Sequence, residues 1–292
     1  MPCCLQMSRQ TITMSTPQAI NIVTNVTTVG SERALYPSVF LMGLKVNPIS
    51  EADVVSLTSD AIRNRHHIVV ANHNLHSVYL WHHQERMRLF YTSADYIHID
   101  GMALILFARI LGIPLNRAHR AAALDFFPLL APAAVQHGWR IFYVGSRPGV
   151  AELGATLAQR EYPGLNIRTH HGYLDAVESK RVIAEINAFQ PHILMVGMGM
   201  PLQEYWIMDN RDQIDANVIF PLGAFMDYLA GEIPTAPRWL ACLYLEWAYR
   251  LFSEPRRLWR RYLVEPWYVA GQVIHHFYLQ KKFRPADKQF LR

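Results

Sequence analysis

Between Val39 and Gly231 short apolar runs alternate with amphipathic segments, and this alternation constrains the chain more than any other feature. Runs bounded by Gly and Pro and separated by helix-length segments predict a parallel sheet covered on both faces, since only crossover connections join parallel strands. The strands expected are Val39–Leu44, Ile68–Ala71, Tyr96–Ile99, Arg140–Val144, Asn166–His170, Ile193–Gly197 and Val218–Leu222. Helices are expected after Ser50, which can cap with Asp53, and over Met102–Leu111, Leu124–His137, Val150–Tyr162, Glu178–Phe189 and Gln203–Ile214. The fold class is therefore α/β, a Rossmann-like parallel sheet flanked by helices. A basic aromatic helical appendage is expected at the C-terminus.

Charge sharpens that division. The whole chain carries +5, but residues 238–292 hold eleven Lys or Arg against four acids, a net of +7, so the first 237 residues carry −2. Three parts follow: a polar leader over 1–37, an α/β catalytic domain over 38–237 and a membrane-associating helical appendage over 238–292. The leader lacks a basic stretch followed by an apolar one, so it does not read as a secretory signal. Three cysteines (Cys3, Cys4, Cys242) make no disulfide framework and no zinc spacing, and no run of about 18 apolar residues predicts a spanning helix.

In an open parallel sheet the chemistry lies where strands end and loops enter helices. In IHIDGMALILFARILG, Asp100 follows a strand directly; it reads either as a helix N-cap or as a general base. In VVANHNLHSVYLW, Asn72 and Asn74 flank His73, and their amides suit sugar hydroxyls or a uracil edge as well as ordinary turns. The histidines from His66 to His83 have no carboxylate or thiol at ligand spacing, so no metal is expected there. In MVGMGMPLQEYW, Gly197 and Gly199 precede a helix carrying Gln203 and Glu204, which lets backbone N–H groups approach a phosphate. VGSRPGV, with Gly145, permits the same or a plain tight turn. Neither loop has a Walker lysine or a complete dinucleotide fingerprint. Asp227 sits on a short helix closed by Gly231. In the tail, Arg250, Arg256, Arg257, Arg260 and Arg261 stand among Trp247, Trp259, Tyr262, Trp267 and Tyr268. That mixture suits a membrane interface or a pyrophosphate; no RNA-binding signature accompanies it, and nucleic acid is not an expected partner.

In this order the segments VVANHN, IDG, RAAALDF, GSRPGV, HHGYL, VGMGMPLQEYW, GAFMDYLAG and LEWAYRLFSEPRRLWRRY resemble the WecG/TagA/CpsF family of glycosyltransferases, over about Leu41 to Tyr262. The resemblance implies an inverting, UDP-sugar-dependent hexosyltransferase without a metal or other cofactor. Its acceptor would be a sugar on a polyprenyl (undecaprenyl) pyrophosphate, at the cytoplasmic face of the inner membrane, with the enzyme peripheral. It implies Asp100 as catalytic base and Asn72, Asn74, Gly145, Gly197, Gly199, Gln203 and Glu204 as donor-binding residues. Arg120, Asp125, Asp227, Arg250, Arg256 and Arg257 are implied for the acceptor and pyrophosphate. Four positions depart from the family pattern: Asn72 stands for Thr, Ala123 for Gly, Leu202 for Lys and Thr235 for Arg. The departures resemble the exopolysaccharide branch of the xanthan and acetan type, so the expected transfer is β-1,4-glucose from UDP-glucose. The alternatives are a UDP-N-acetylmannosamine (or uronic acid) transferase of the same family, or a non-catalytic membrane-bound nucleotide-binding adaptor.

Overall fold

Along each central strand, neighbouring residues are buried on opposite faces. Ile141 and Tyr143 enter one core while Phe142 and Val144 enter the other, and Ile193 and Met195 divide from Leu194 and Val196 in the same way. Both faces must then be covered by helices. The computed structural model describes residues 36–235, Leu240 and residues 246–282. Its main sheet contains β3 (Ile68–His73), β4 (Tyr96–Ile99), β5 (Arg140–Gly145), β6 (Asn166–His170), β7 (Ile193–Gly197) and β8 (Val218–Pro221), in the order β4-β3-β8-β7-β5-β6. Every pairing within it is parallel.

One face is packed by α1 (Glu51–Arg63), α5 (Ala123–His137), α6 (Val150–Glu161) and the short α9 (Phe225–Leu229). The other carries α2 (Leu75–His83), α3 (Glu85–Ser93), α7 (Ala176–Phe189) and α8 (Leu202–Asn210). The expected cap of α1 is present: Asp53 N–H donates to Ser50 Oγ at 3.2 Å and the Asp53 carboxylate accepts from Ser50 N–H at 2.8 Å. Such a box contributes about 1 kcal/mol.

Two expectations change. The single strand Val39–Leu44 is a hairpin, β1 (Val39–Leu41) and β2 (Leu44–Val46), reversed at Met42 and Gly43 with φ of 53° and 84°. Positive φ at both central residues is the two-residue turn whose twist suits a hairpin, and glycine makes it accessible. Helix α3 was not expected; its buried residues Met87, Phe90 and Tyr91 are too few to set a pattern in the sequence.

A third cluster lies outside the sheet. Leu41, Leu44 and Val46 of the hairpin join Leu104, Ile105 and Ala108 of α4 (Met102–Ile110). Beyond them run α10 (Glu246–Ser253), α11 (Pro255–Leu263) and α12 (Glu265–Lys282). Val269 and Val273 of α12 are buried in this same cluster. The expected leader falls almost entirely outside the described residues, as do Ala236, Pro237 and Cys242. No described helix is long and apolar enough to cross a membrane.

Candidate active site

The parallel register brings the ends of β3 and β4 together, pairing Asn72 with His98 and His73 with Ile99. Asp100 then leaves the sheet at its edge, its N–H donating to His73 O at 2.9 Å. The residue that caps α4 is Gly101, without a side-chain bond, so capping does not account for the Asp100 carboxylate. That carboxylate is half-buried and accepts no hydrogen bond from a described residue. Its backbone carbonyl accepts from Arg120 Nε at 3.0 Å, and Arg120 Nη1 donates to Asp125 at 2.8 Å. Arg120 reaches this place because a 3-10 turn over Arg117–His119 lays the next residues beside Ile99.

Below the edge lies a buried polar layer that the sequence did not announce. His73 and His98 are both fully enclosed. Burial drives the pKa of His73 down to about 3, with His98 adding to the effect. Burial takes His98 down to about 4 against the opposing pull of Asp100. Both imidazoles are therefore neutral at physiological pH. His73 Nδ1 shares a hydrogen bond with Ser77 Oγ, whereas Nε2 of His73 and both ring nitrogens of His98 have no partner. Tyr91 donates to Asn72 O at 3.0 Å, and its phenol is raised well above 10 by burial.

Glu204 belongs to the same layer. It is 0% exposed, its Oε2 has no partner, and burial lifts its pKa to about 7. The charge of Arg261, on α11, acts on both Glu204 and Tyr91 in the downward direction, so the tail lies over this end of the sheet. Arg261 was expected only as one of several basic tail residues. Of the three tail arginines expected for the acceptor and pyrophosphate, Arg250 stacks on Tyr228 with 5.1 Å between guanidinium and ring centre. Arg256 is exposed, and the side chain of Arg257 lies outside the described residues.

The glycine loops are tightly packed. Gly145 and Gly197 pair across β5 and β7, and a Cβ on either would overlap backbone, at Gly197 for the first and Gly223 for the second. Their lack of a side chain is a packing requirement. The N–H of Gly199 donates to Gln203 Oε1 at 3.2 Å, as does that of Gly223 at 2.9 Å, while Gln203 Nε2 donates to Glu204 at 2.8 Å. A phosphate at these two amides would have to displace Gln203. Asn74 is likewise engaged: its Oδ1 accepts from Ser77 N–H and caps α2. Asn72 donates through Nδ2 to Pro221 O at 2.7 Å, tying β3 to β8. Asp227 accepts from Ser146 Oγ at 2.8 Å, and that hydroxyl is bonded to Tyr143.

Among the described residues, two of the surface hollows bear on the site. One of ≈ 390 Å³ lies at the amino ends of β3 and β8, lined by His67, Arg211 and Ile214, on the side away from Asp100. The other, ≈ 630 Å³, opens at the carboxyl edge between Arg147, Val150, Tyr173 and Glu232. It borders Ser146 and the amino terminus of α6, and it is the one on the side where such sheets do their chemistry.

A six-stranded parallel sheet with carboxylates and amides gathered at its carboxyl edge defines the class, a Rossmann-like α/β fold. Residues 39–283 match the family model described as Glycosyl transferase WecG/TagA/CpsF family, and the chain belongs to that family. It is similar to an N-acetylglucosaminyldiphosphoundecaprenol N-acetyl-beta-D-mannosaminyltransferase of Bacillus spizizenii, 34% identical over 186 residues, or 63% of this chain and 70% of the relative. A Staphylococcus aureus protein of the same description is 32% identical over 193 residues, covering 66% and 74%. The chain is accordingly a glycosyltransferase, a hexosyltransferase.

Proposed function

We propose that this protein transfers N-acetylmannosamine from its UDP conjugate to an N-acetylglucosamine carried on undecaprenyl diphosphate. The relatives' descriptions favour this alternative over the glucose transfer expected from the departures at Asn72, Ala123, Leu202 and Thr235. The reading of its chemistry rests on one observation: a half-buried carboxylate, Asp100, stands at a strand end with no capping role and no hydrogen bond from a described residue.

In this reading Asp100 accepts the proton of the acceptor hydroxyl. The hydroxyl oxygen attacks the anomeric carbon as the bond to UDP breaks, so one displacement inverts that centre. General-base assistance of this kind contributes about 10²- to 10⁴-fold. Charge grows on the departing diphosphate, and cationic side chains offset it. Arg120 lies against Asp100, and Arg261 acts over the neighbouring edge. The donor's nucleotide fits the carboxyl-edge hollow by Arg147 and Tyr173, beside the Ser146–Asp227 bond.

The lipid acceptor calls for a membrane surface, and the tail carries the features of one. Trp259, Leu263, Trp267 and Ile274 on α11 and α12, and Val264 between them, are exposed, as are Leu106 and Ile110 on α4. Arg256 and Arg260 are exposed on the same helix as Trp259. Apolar and aromatic side chains beside arginine favour the headgroup region, at about 1 kcal/mol per cation near an anionic leaflet.

The test is donor choice. With a lipid-linked N-acetylglucosaminyl diphosphate acceptor, UDP-N-acetylmannosamine should give product and UDP-glucose little. Preference for UDP-glucose, on that acceptor or on a glucosyl diphosphate lipid, would return the protein to the glucosyl branch.

A further inference from the structure

At the far edge of the sheet from Asp100, next to the hollow proposed for the donor's nucleotide, three side chains converge. We propose that His170, His171 and Glu178 form a binding site for one divalent transition-metal ion of the zinc class. Their donor atoms all lie within 4.8 Å of one another, and all three residues are half-buried.

The geometry of the set favours a shared ion over a simple ion pair. His171 Nε2 stands 3.4 Å from Glu178 Oε1, long for a charged hydrogen bond. Two ligands each about 2.0–2.1 Å from a tetrahedral centre stand about 3.4 Å apart, so the observed spacing suits a metal between them. The other nitrogen of His171, Nδ1, is buried without a partner. His170 Nδ1 lies 2.9 Å from the carbonyl of His171. That contact places the ring proton on Nδ1 and leaves the Nε2 lone pair for a metal, the usual arrangement around histidine ligands.

The backbone holds the set in place from both sides. His170 is fixed by β6, in register with Val144 of β5. The chain then turns at Gly172, where a Cβ would meet Gly145 Cα at 2.7 Å, and Gly172 N–H donates to Ser146 O at 3.0 Å. Glu178 sits in the first turn of α7, capped by Asp175 through Val177 N–H and Glu178 N–H, both 2.8 Å. Two imidazoles and one carboxylate make a nitrogen-rich set that suits Zn²⁺, Co²⁺ or Ni²⁺ and disfavours Mg²⁺ and Ca²⁺, which take oxygen ligands. Three protein ligands leave a fourth position for water. In the sequence these residues were invisible as a site, because adjacent histidines and a glutamate seven residues on match no familiar ligand spacing.

The experiment uses the full chain, stripped with a chelator and titrated calorimetrically with Zn²⁺ alone in excess Mg²⁺. One equivalent should bind with micromolar or tighter affinity and raise the Tm. His171→Ala and Glu178→Gln should each weaken that binding at least tenfold, while His66→Ala, at another histidine cluster, should not. Stoichiometric binding unchanged in both site variants, or no binding by the unaltered chain, overturns the proposal. Should the variants fold poorly, Co²⁺ on the unaltered chain decides: intense visible bands of four-coordinate nitrogen–oxygen ligation support the site, and only weak octahedral bands oppose it.

Discussion

Burial of Glu204 gives the residue scale its sharpest consequence. Its folded pKa, about 7, lies above the ordinary glutamate value, so the folded state binds the proton more tightly than the unfolded chain. Stability from this group is present below about pH 4.5 and declines as pH rises to about 7. Glu204→Gln keeps the bond from Gln203 and removes that decline, so the variant should gain on the unaltered protein by a few kcal/mol between pH 5 and pH 8, at about 1.4 kcal/mol per pKa unit. Denaturant melts at the two pH values measure it; a pH-independent difference would show that Glu204 is not protonated in the fold. His73 and His98 work in the opposite sense. Their pKa values, about 3 and about 4, are depressed, so the stability they confer is lost as pH falls from about 6.5 toward those values. Legibility differed among these residues for a physical reason. Asp100 was visible because a carboxylate directly after an apolar strand is conspicuous. Glu204, Tyr91 and Arg261 owe their environment to three elements meeting from distant parts of the chain, which spacing along one helix does not encode.

Among the elements, the parallel strands were the most legible, since residues buried on both faces leave uninterrupted apolar runs between Gly and Pro. Five of the seven expected strands coincide with or differ by one residue from those formed at Tyr96–Ile99, Asn166–His170, Ile193–Gly197, Arg140–Gly145 and Val218–Pro221. The hairpin was read as one strand because its turn, Met42-Gly43, lacks the usual Asn or Asp. The glycine loops carry a packing role that the sequence did not distinguish from a ligand-binding one. A glycine that lets a ligand approach and one that lets another strand approach look alike in sequence, and Gly145 and Gly197 do at least the second. Gly145→Ala should therefore cost about 1–3 kcal/mol or more by forcing β5 from β7, seen as a lowered denaturation midpoint. Unchanged stability would mean the loop has room for a ligand instead. At the next strand end, Asn74→Ala should lose about 1 kcal/mol with the α2 cap. Asn74→Ser, retaining an acceptor, should recover most of it; failure to do so would point away from capping.

For the whole molecule, the sequence separated a domain from an appendage, and packing joins them. Val269 and Val273 of α12 are buried against Leu41, Leu44 and Leu104, and Glu265 bonds His76 of α2 at 2.9 Å. A separable appendage, as the charge division at residue 238 implies, would leave a well-behaved core after truncation near Leu240; these contacts change that expectation. Burying two valines contributes about 3–6 kcal/mol at most, so the truncated chain should be inactive, less stable and prone to associate through the uncovered patch. A monomeric truncation with unchanged Tm would restore the separable appendage. Charge was legible at this scale because it is additive along the chain, whereas the docking of α12 depends on a hairpin nearly 230 residues earlier. The account as a whole depends on the carboxylate of Asp100, and the most direct measurement is turnover by Asp100→Asn with UDP-N-acetylmannosamine and the lipid-linked acceptor, alongside calorimetric binding of UDP. The account predicts a loss of about 10²- to 10⁴-fold in kcat with UDP affinity retained; a variant that turns over at the unaltered rate would contradict it.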